Sequence, residues 1–244
     1  MIQVSNDELV KLYKLASIGK LVGGLVHNLN GSMQNLGLDI EMAHYSLMDE
    51  SKWDSNTAQG IITRLRRMEE EFEKINSLIR ITSTKTGDYN GDSSILNIYE
   101  FLNQELSFLH SNLYFKHNVK AEIEFEDDLP SIRDLPQDSL MALGWFIQSL
   151  VEELESQKLR ELIIKIINDD SALTILFQTH GGELSDRFAA QLKDPVPTSG
   201  LIKSDNKGLG ILISMMIFQN NGIALTIDSK SSQSNVAVNF PRLG

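Results

Sequence analysis

The sequence predicts an α+β protein built in two parts, a long helical hairpin followed by a sheet covered by helices on one face. Three patterns predict this. Apolar residues recur at steps of three and four along two long N-terminal segments, the seam of packed helices. The turn-rich stretch KTGDYNGDSS, Lys85 to Ser94, then breaks the chain. Beyond it short alternating segments are mixed with helical ones, as in an α+β sandwich. The expected division is residues 1–86 and 95–244.

The first helix is expected from Asn6 to Glu50. Asn6 can cap it, and Asp7 and Glu8 suit the positive end of its dipole. Its seam reads Leu15, Ile18, Val22, Leu25, Leu29 and Leu36. His27 falls between Leu25 and Leu29, so at about 100° per residue it points away from the seam toward solvent. Its neighbours three and four residues away are Gly23, Gly24, Asn30 and Gly31. A glycine inside a helix costs about 1 kcal/mol relative to alanine. Two readings explain the three glycines: a bare collar that lets another protein reach the imidazole, or close helix packing beside an ordinary surface histidine.

Trp53 to Asn56 reads as a turn, and a second helix is expected from Thr57 to Thr84. Its apolar positions are Ala58, Ile61, Leu65, Met68, Phe72, Ile75 and Ile79. Two such helices joined by a short turn form an antiparallel hairpin. One hairpin buries only a narrow stripe, so a homodimeric four-helix bundle is predicted; alternatively, the second part covers the stripe in a monomer. Arg64, Arg66 and Arg67, followed by Glu69, Glu70, Glu71 and Glu73, read as a solvated charged face.

After the linker, Ile95 to Ile98 is a candidate strand and Tyr99 to Asn112 a helix. Val119, Ala121, Ile123 and Phe125 alternate with charged residues, which predicts a strand. A helix follows from Pro136 to Ser156, then strands Leu162–Asn168 and Ala172–Gln178 around a turn. Ser185 to Leu192 is a short helix, Lys193 to Lys207 a loop, and Gly208 to Asn220 a helix ending at Asn-Asn-Gly. Ile223–Asp228 and Val236–Phe240 close the sheet.

Composition narrows the function. A net charge of −11 argues against a broad nucleic-acid-binding face. With no cysteine there is no disulfide, thiolate catalysis or cysteine-held zinc, which fits the reducing cytoplasm. No apolar run approaches the roughly 20 residues that span a bilayer, and MIQVSNDELV is not a signal peptide. His27, His44, His110, His117 and His180 show no metalloenzyme spacing, so no metal site is expected.

The stretch from Ser17 to Asn30, SIGKLVGGLVHNLN, resembles the H-box of bacterial two-component histidine kinases, LGxLxxGxxHExxNPL in form. The resemblance implies that His27 accepts a phosphoryl group. It departs from the pattern after the histidine, with Asn28 for the usual acid, Gly31 for a polar Thr or Asn, and Ser32 for a proline. The element order of the second part resembles the ATP-binding GHKL domain of the same kinases. In that comparison the N-box asparagines become Ser149 and Glu153, the adenine-reading aspartate becomes Gln178, and the first G1 glycine becomes His180. Only Lys207 to Leu212, KGLGIL, keeps its box. If ATP were held, the resemblance would place it on Glu153, Gln178, Gly182, Gly208 and Gly210.

A kept histidine beside an eroded nucleotide domain resembles the two-domain, ChpT-type histidine phosphotransferases. This implies a relay in which His27 takes a phosphoryl group from one response-regulator receiver domain and passes it to another. No cofactor is expected on the chain itself, because the receiver brings Mg²⁺. Asn30, Gln34 and Lys20 are the candidate supporting residues around His27. The alternatives are a divergent ATP-dependent kinase using Glu153, Gly208 and Gly210, and a non-catalytic pseudokinase that only binds a partner.

Overall fold

The structure, a computed structural model, describes residues 6–48, 54–86, 97–125, 129, 135, 137–169, 172–193, 208–230 and 232–241. Helix α1 spans Asn6–Met48 and α2 spans Ser55–Thr86. The Asp54 carboxylate accepts from the Thr57 backbone N–H at 2.7 Å and from its hydroxyl at 2.9 Å. That cap starts α2 two residues before the expected Thr57. The helix also runs on through Lys85 and Thr86; the rest of the expected linker lies outside the described residues.

The two helices are antiparallel. Arg64 pairs with Asp39 at 3.2 Å, while Asn35, nearer the N-terminus, reaches Glu71 at 3.4 Å. Leu25, Ser32 and Ala43 are buried on this face of α1. The expected seam divides here. Leu25 is 6% exposed, yet Leu15 is 70% and Val22 46% exposed, because they lie on a second apolar face. Residues three apart on a helix differ by about 60° in direction, so this list of threes and fours is about 80° wide and its two edges meet different surroundings.

The second half begins with α3, Ile98–Leu109. The Asn97 side chain accepts from the Glu100 N–H at 2.9 Å, and the Glu100 carboxylate accepts from the Asn97 N–H at 3.2 Å. This capping box makes Ile98 the first residue of a helix, where a strand was expected. A short helix the sequence reading did not separate, α4 (Leu113–Asn118), follows; the Asn112 side chain caps it by accepting from the Phe115 N–H at 2.8 Å. Then come β1 (Lys120–Phe125), α5 (Gln137–Gln157), β2 (Glu161–Asn168), β3 (Ala172–His180), α6 (Asp186–Lys193), α7 (Leu209–Asn220), β4 (Ala224–Lys230) and β5 (Gln233–Pro241). Of the expected loop Lys193 to Lys207, Lys193 still belongs to α6 and the rest lies outside the described residues.

The sheet order is β1-β2-β3-β5-β4. β1 runs parallel to β2, with α5 as the crossover; the other pairs are antiparallel. Leu173, Ile175, Phe177 and Thr179 of β3, with Val236, Val238 and Phe240 of β5, face the helices. Phe146 of α5 and Phe218 of α7 complete this core, at 5.3 Å from Phe177 and 6.3 Å from Phe240 respectively.

Helix α1 joins the same core. Tyr13 is buried edge-on against Trp145 at 5.1 Å, and the Trp145 indole N–H donates to the Ser17 hydroxyl at 3.1 Å. Burial, together with the nearby Glu152 carboxylate, pushes the Tyr13 hydroxyl pKa up, so it stays neutral. The hairpin is therefore fastened to the sheet lobe through the N-terminal third of α1. Among the described residues no helix is long and apolar enough to cross a membrane.

Candidate functional site

His27 lies on the solvent side of α1, where a cavity of about 590 Å³ opens between α1, α2 and the α3–α4 corner. Its wall includes Asn28, Gly31, Lys74, Ser107, His110 and Lys116. The glycines around His27 divide between the two readings. A Cβ added at Gly23 or Gly31 meets nothing within 4 Å, so these positions leave the imidazole uncovered. A Cβ at Gly24 would collide with the Ser111 backbone carbonyl. Gly24 is thus a close-packing glycine, and it is what lets the α3–α4 corner approach α1.

Asn28 fastens that approach. Its amide donates to the His110 carbonyl at 3.4 Å, and its carbonyl accepts from the Lys116 ammonium at 3.3 Å. Where the resemblance expected an acid, this chain thus has a neutral side chain that bridges the hairpin and the sheet lobe. Leu25, Phe108 and Leu78 form a small apolar contact beneath it.

On the α2 side, Lys74 pairs with Glu71 at 2.8 Å. The Lys74 ammonium, with the Ser32 hydroxyl, holds the Glu71 carboxyl below its usual range. His110 stacks at a tilt on Phe115, centroids 5.5 Å apart. Burial, assisted by the Lys116 cation, holds its pKa below the usual 6.5, so near neutral pH it is uncharged. The cavity therefore brings together the exposed His27 imidazole, a second, neutral imidazole and two ammonium groups.

Of the three supporting residues expected from sequence, two can be placed. Asn30 and Gln34 are exposed on α1 but are not among the cavity's lining residues, and the Lys20 side chain lies outside the described ones. The α3–α4 corner meets α1 at Gly24 and Asn28, and α2 meets it at Asn35, so the site forms on that side of the helix. Lys116 and His110 carried no sequence signal, since nothing local ties α4 to α1.

A second cavity, about 770 Å³, lies between α5, α6 and α7, where the kinase resemblance would put a nucleotide. Glu152, Glu153, Glu155, Arg187 and Gly208 line it. Glu153 is committed to structure: its carboxylate accepts from the Ser185 N–H at 2.8 Å, beside the Ser185 hydroxyl that caps α6. Gln178 is not brought to this cavity. It projects from the opposite face of β3, donating to the Asn235 side chain at 2.9 Å; one step along a strand reverses the face. Gly182 packs on Leu159, and Gly210 lies under the Tyr13 hydroxyl and Ser149. Of the five positions the resemblance named, only Glu153 and Gly208 line the cavity. Three carboxylates in the wall suit a triphosphate poorly, since like charge meets like.

No family model matches the chain, and no curated protein matches it. The chain is similar to solved structures of a bacterial phosphotransferase and of histidine kinases. A bacterial phosphotransferase aligns over 91% of this chain and 96% of its own, at 10% identity and a TM-score of 0.45. The Acinetobacter baumannii histidine kinase AdeS aligns over 89% and 98%, at 10% identity and a TM-score of 0.43. The catalytic domain of histidine kinase ThkA covers 60% of this chain and 95% of its own, at 14% identity and a TM-score of 0.45. At these scores the likeness decides nothing about chemistry, and the functional reading rests on the residues themselves.

Proposed function

We propose that the chain is a histidine phosphotransfer protein of a two-component relay, in which His27 carries a phosphoryl group between receiver domains without using ATP. The observation that carries the reading is an exposed imidazole on an uncluttered helix face, at a cavity holding two ammonium groups. An imidazole nitrogen attacks the aspartyl phosphate of a receiver in line, and the same face later returns the group to a second receiver. The receiver supplies Mg²⁺, so the chain needs access, orientation and positive charge more than a metal site of its own. The loss of the nucleotide positions fits this: Glu153 holds the Ser185 backbone N–H ahead of α6 and Gln178 bonds within the sheet.

The same reading includes a homodimer. Leu15, Val22, Val26, Met33, Ile40 and Leu47 are all exposed on α1. At about 100° per residue they fall within about 60° of its circumference. Leu65, Phe72 and Ile79 form a matching exposed row on α2. A second hairpin laid on these rows closes a four-helix core, and both imidazoles stay outside it.

The test is incubation of the full chain with a phosphorylated receiver, then a search for acid-labile label. Label on wild type and none on His27→Gln is expected. Label arising from ATP alone would favour a kinase instead, and no transfer from any cognate receiver would leave only a binding module.

A further inference from the structure

The sheet lobe has a use in this reading that the resemblance does not supply. In the His27 cavity, Lys74 is neutralised by Glu71 at 2.8 Å, and His110 is uncharged near neutral pH. Lys116 is different. Its ammonium donates to the neutral Asn28 carbonyl at 3.3 Å, and among the described residues it forms no ion pair. It is exposed, on the α4 corner that Gly24 admits against α1, and it lines the same cavity as His27. The cavity thus holds one uncompensated cation, delivered by the lobe and aimed by Asn28.

We propose that Lys116 is an anion-binding residue that holds the phosphoryl group carried by His27. This rests on the phosphotransfer reading above and deepens it. In the step, a bond forms between a His27 imidazole nitrogen and phosphorus. The phosphorus–oxygen bond to the receiver's aspartate breaks, and the carboxylate leaves with the electron pair. The imidazole proton passes to solvent. Lys116 takes no proton; it donates hydrogen bonds to the non-bridging oxygens and offsets their charge. The same contact ties the lobe to the hairpin and positions the cation over the cavity.

Phosphoramidate, a small phosphorus–nitrogen donor, tests this without a receiver. The full chain is incubated with it, and phosphohistidine is followed by intact mass and ³¹P NMR. Wild type is expected to be labelled on His27. Lys116→Gln, which still donates to Asn28, should label about tenfold more slowly, the loss of one charge-assisted hydrogen bond. Lys116→Arg should recover most of the rate. The bound phosphoryl group should also protonate at a higher pH in Lys116→Gln than in wild type, a shift that a merely structural lysine would not cause. Labelled wild type with an equally fast Lys116→Gln overturns this inference and leaves the relay intact. A wild type that takes no label, or a label that survives His27→Gln, overturns the relay and this inference with it.

Discussion

Gly24 and Gly23 are adjacent in α1, yet alanine should act on them with opposite sign. At either position alanine gains about 1 kcal/mol of helix propensity, partly by narrowing the unfolded ensemble. At Gly23 nothing lies within 4 Å of the new methyl, so the gain stands alone. At Gly24 the methyl meets the Ser111 carbonyl carbon at 2.7 Å and its Cβ at 2.9 Å, besides the carbonyl oxygen. These are mostly backbone atoms at a helix corner that cannot rotate away, so the corner must shift, at an overpacking cost of about 1–3 kcal/mol. Propensity cancels between the two variants, so their difference is the overpacking cost itself. A chain of this size moves about 2–4 °C in Tm per kcal/mol. Gly23→Ala should melt about 2–4 °C above wild type, and Gly24→Ala at or below it, by calorimetry at one protein concentration. Gly24→Ala should also slow labelling of His27, because the shifted corner carries Lys116. Equal, raised melting temperatures for the two variants would refute the close packing of hairpin and lobe.

Gly31→Ala should likewise stabilise by about 1 kcal/mol, since its site is open, yet slow transfer from a receiver because the methyl stands at the rim of the His27 cavity; a phosphotransfer time course with a melting curve checks both. His110 has a depressed pKa in the folded chain, so its neutral form contributes stability that is fully present above the unfolded value of about 6.5 and is lost as pH falls below it. Denaturant unfolding from pH 7.5 to 5 should therefore show a steeper loss for wild type than for His110→Gln. Lys158 ends α5 in the left-handed region, φ 57°, with the Leu159 N–H returning to the Leu154 carbonyl at 2.9 Å. Lys158→Gly should raise stability by up to about 1 kcal/mol in a denaturant titration. For the proposed dimer, Phe72→Glu on the exposed α2 row should lower the molar mass in solution to that of a monomer by light scattering, with the sheet lobe still folded by circular dichroism.

Local patterns in the sequence determined most of the elements and the position of His27 on its helix. Periods of 3.6 and 2, a turn-rich break and one glycine-flanked imidazole are properties of neighbours in the chain, and neighbours are what periodicity reads. It could not tell which of the two apolar faces of α1 meets α2, because both repeat at nearly the same step. It also could not tell an open glycine from a packed one. Gly23 and Gly24 are identical as residues and differ only in whether Ser111 stands opposite. The wall of the site was decided by tertiary structure alone. Asn28 and Lys116 are 88 residues apart and meet because Tyr13, Ser17 and Gly24 dock α1 on the lobe. Charge balance in a cavity depends on such long-range meetings, so it exists only once the chain has closed on itself.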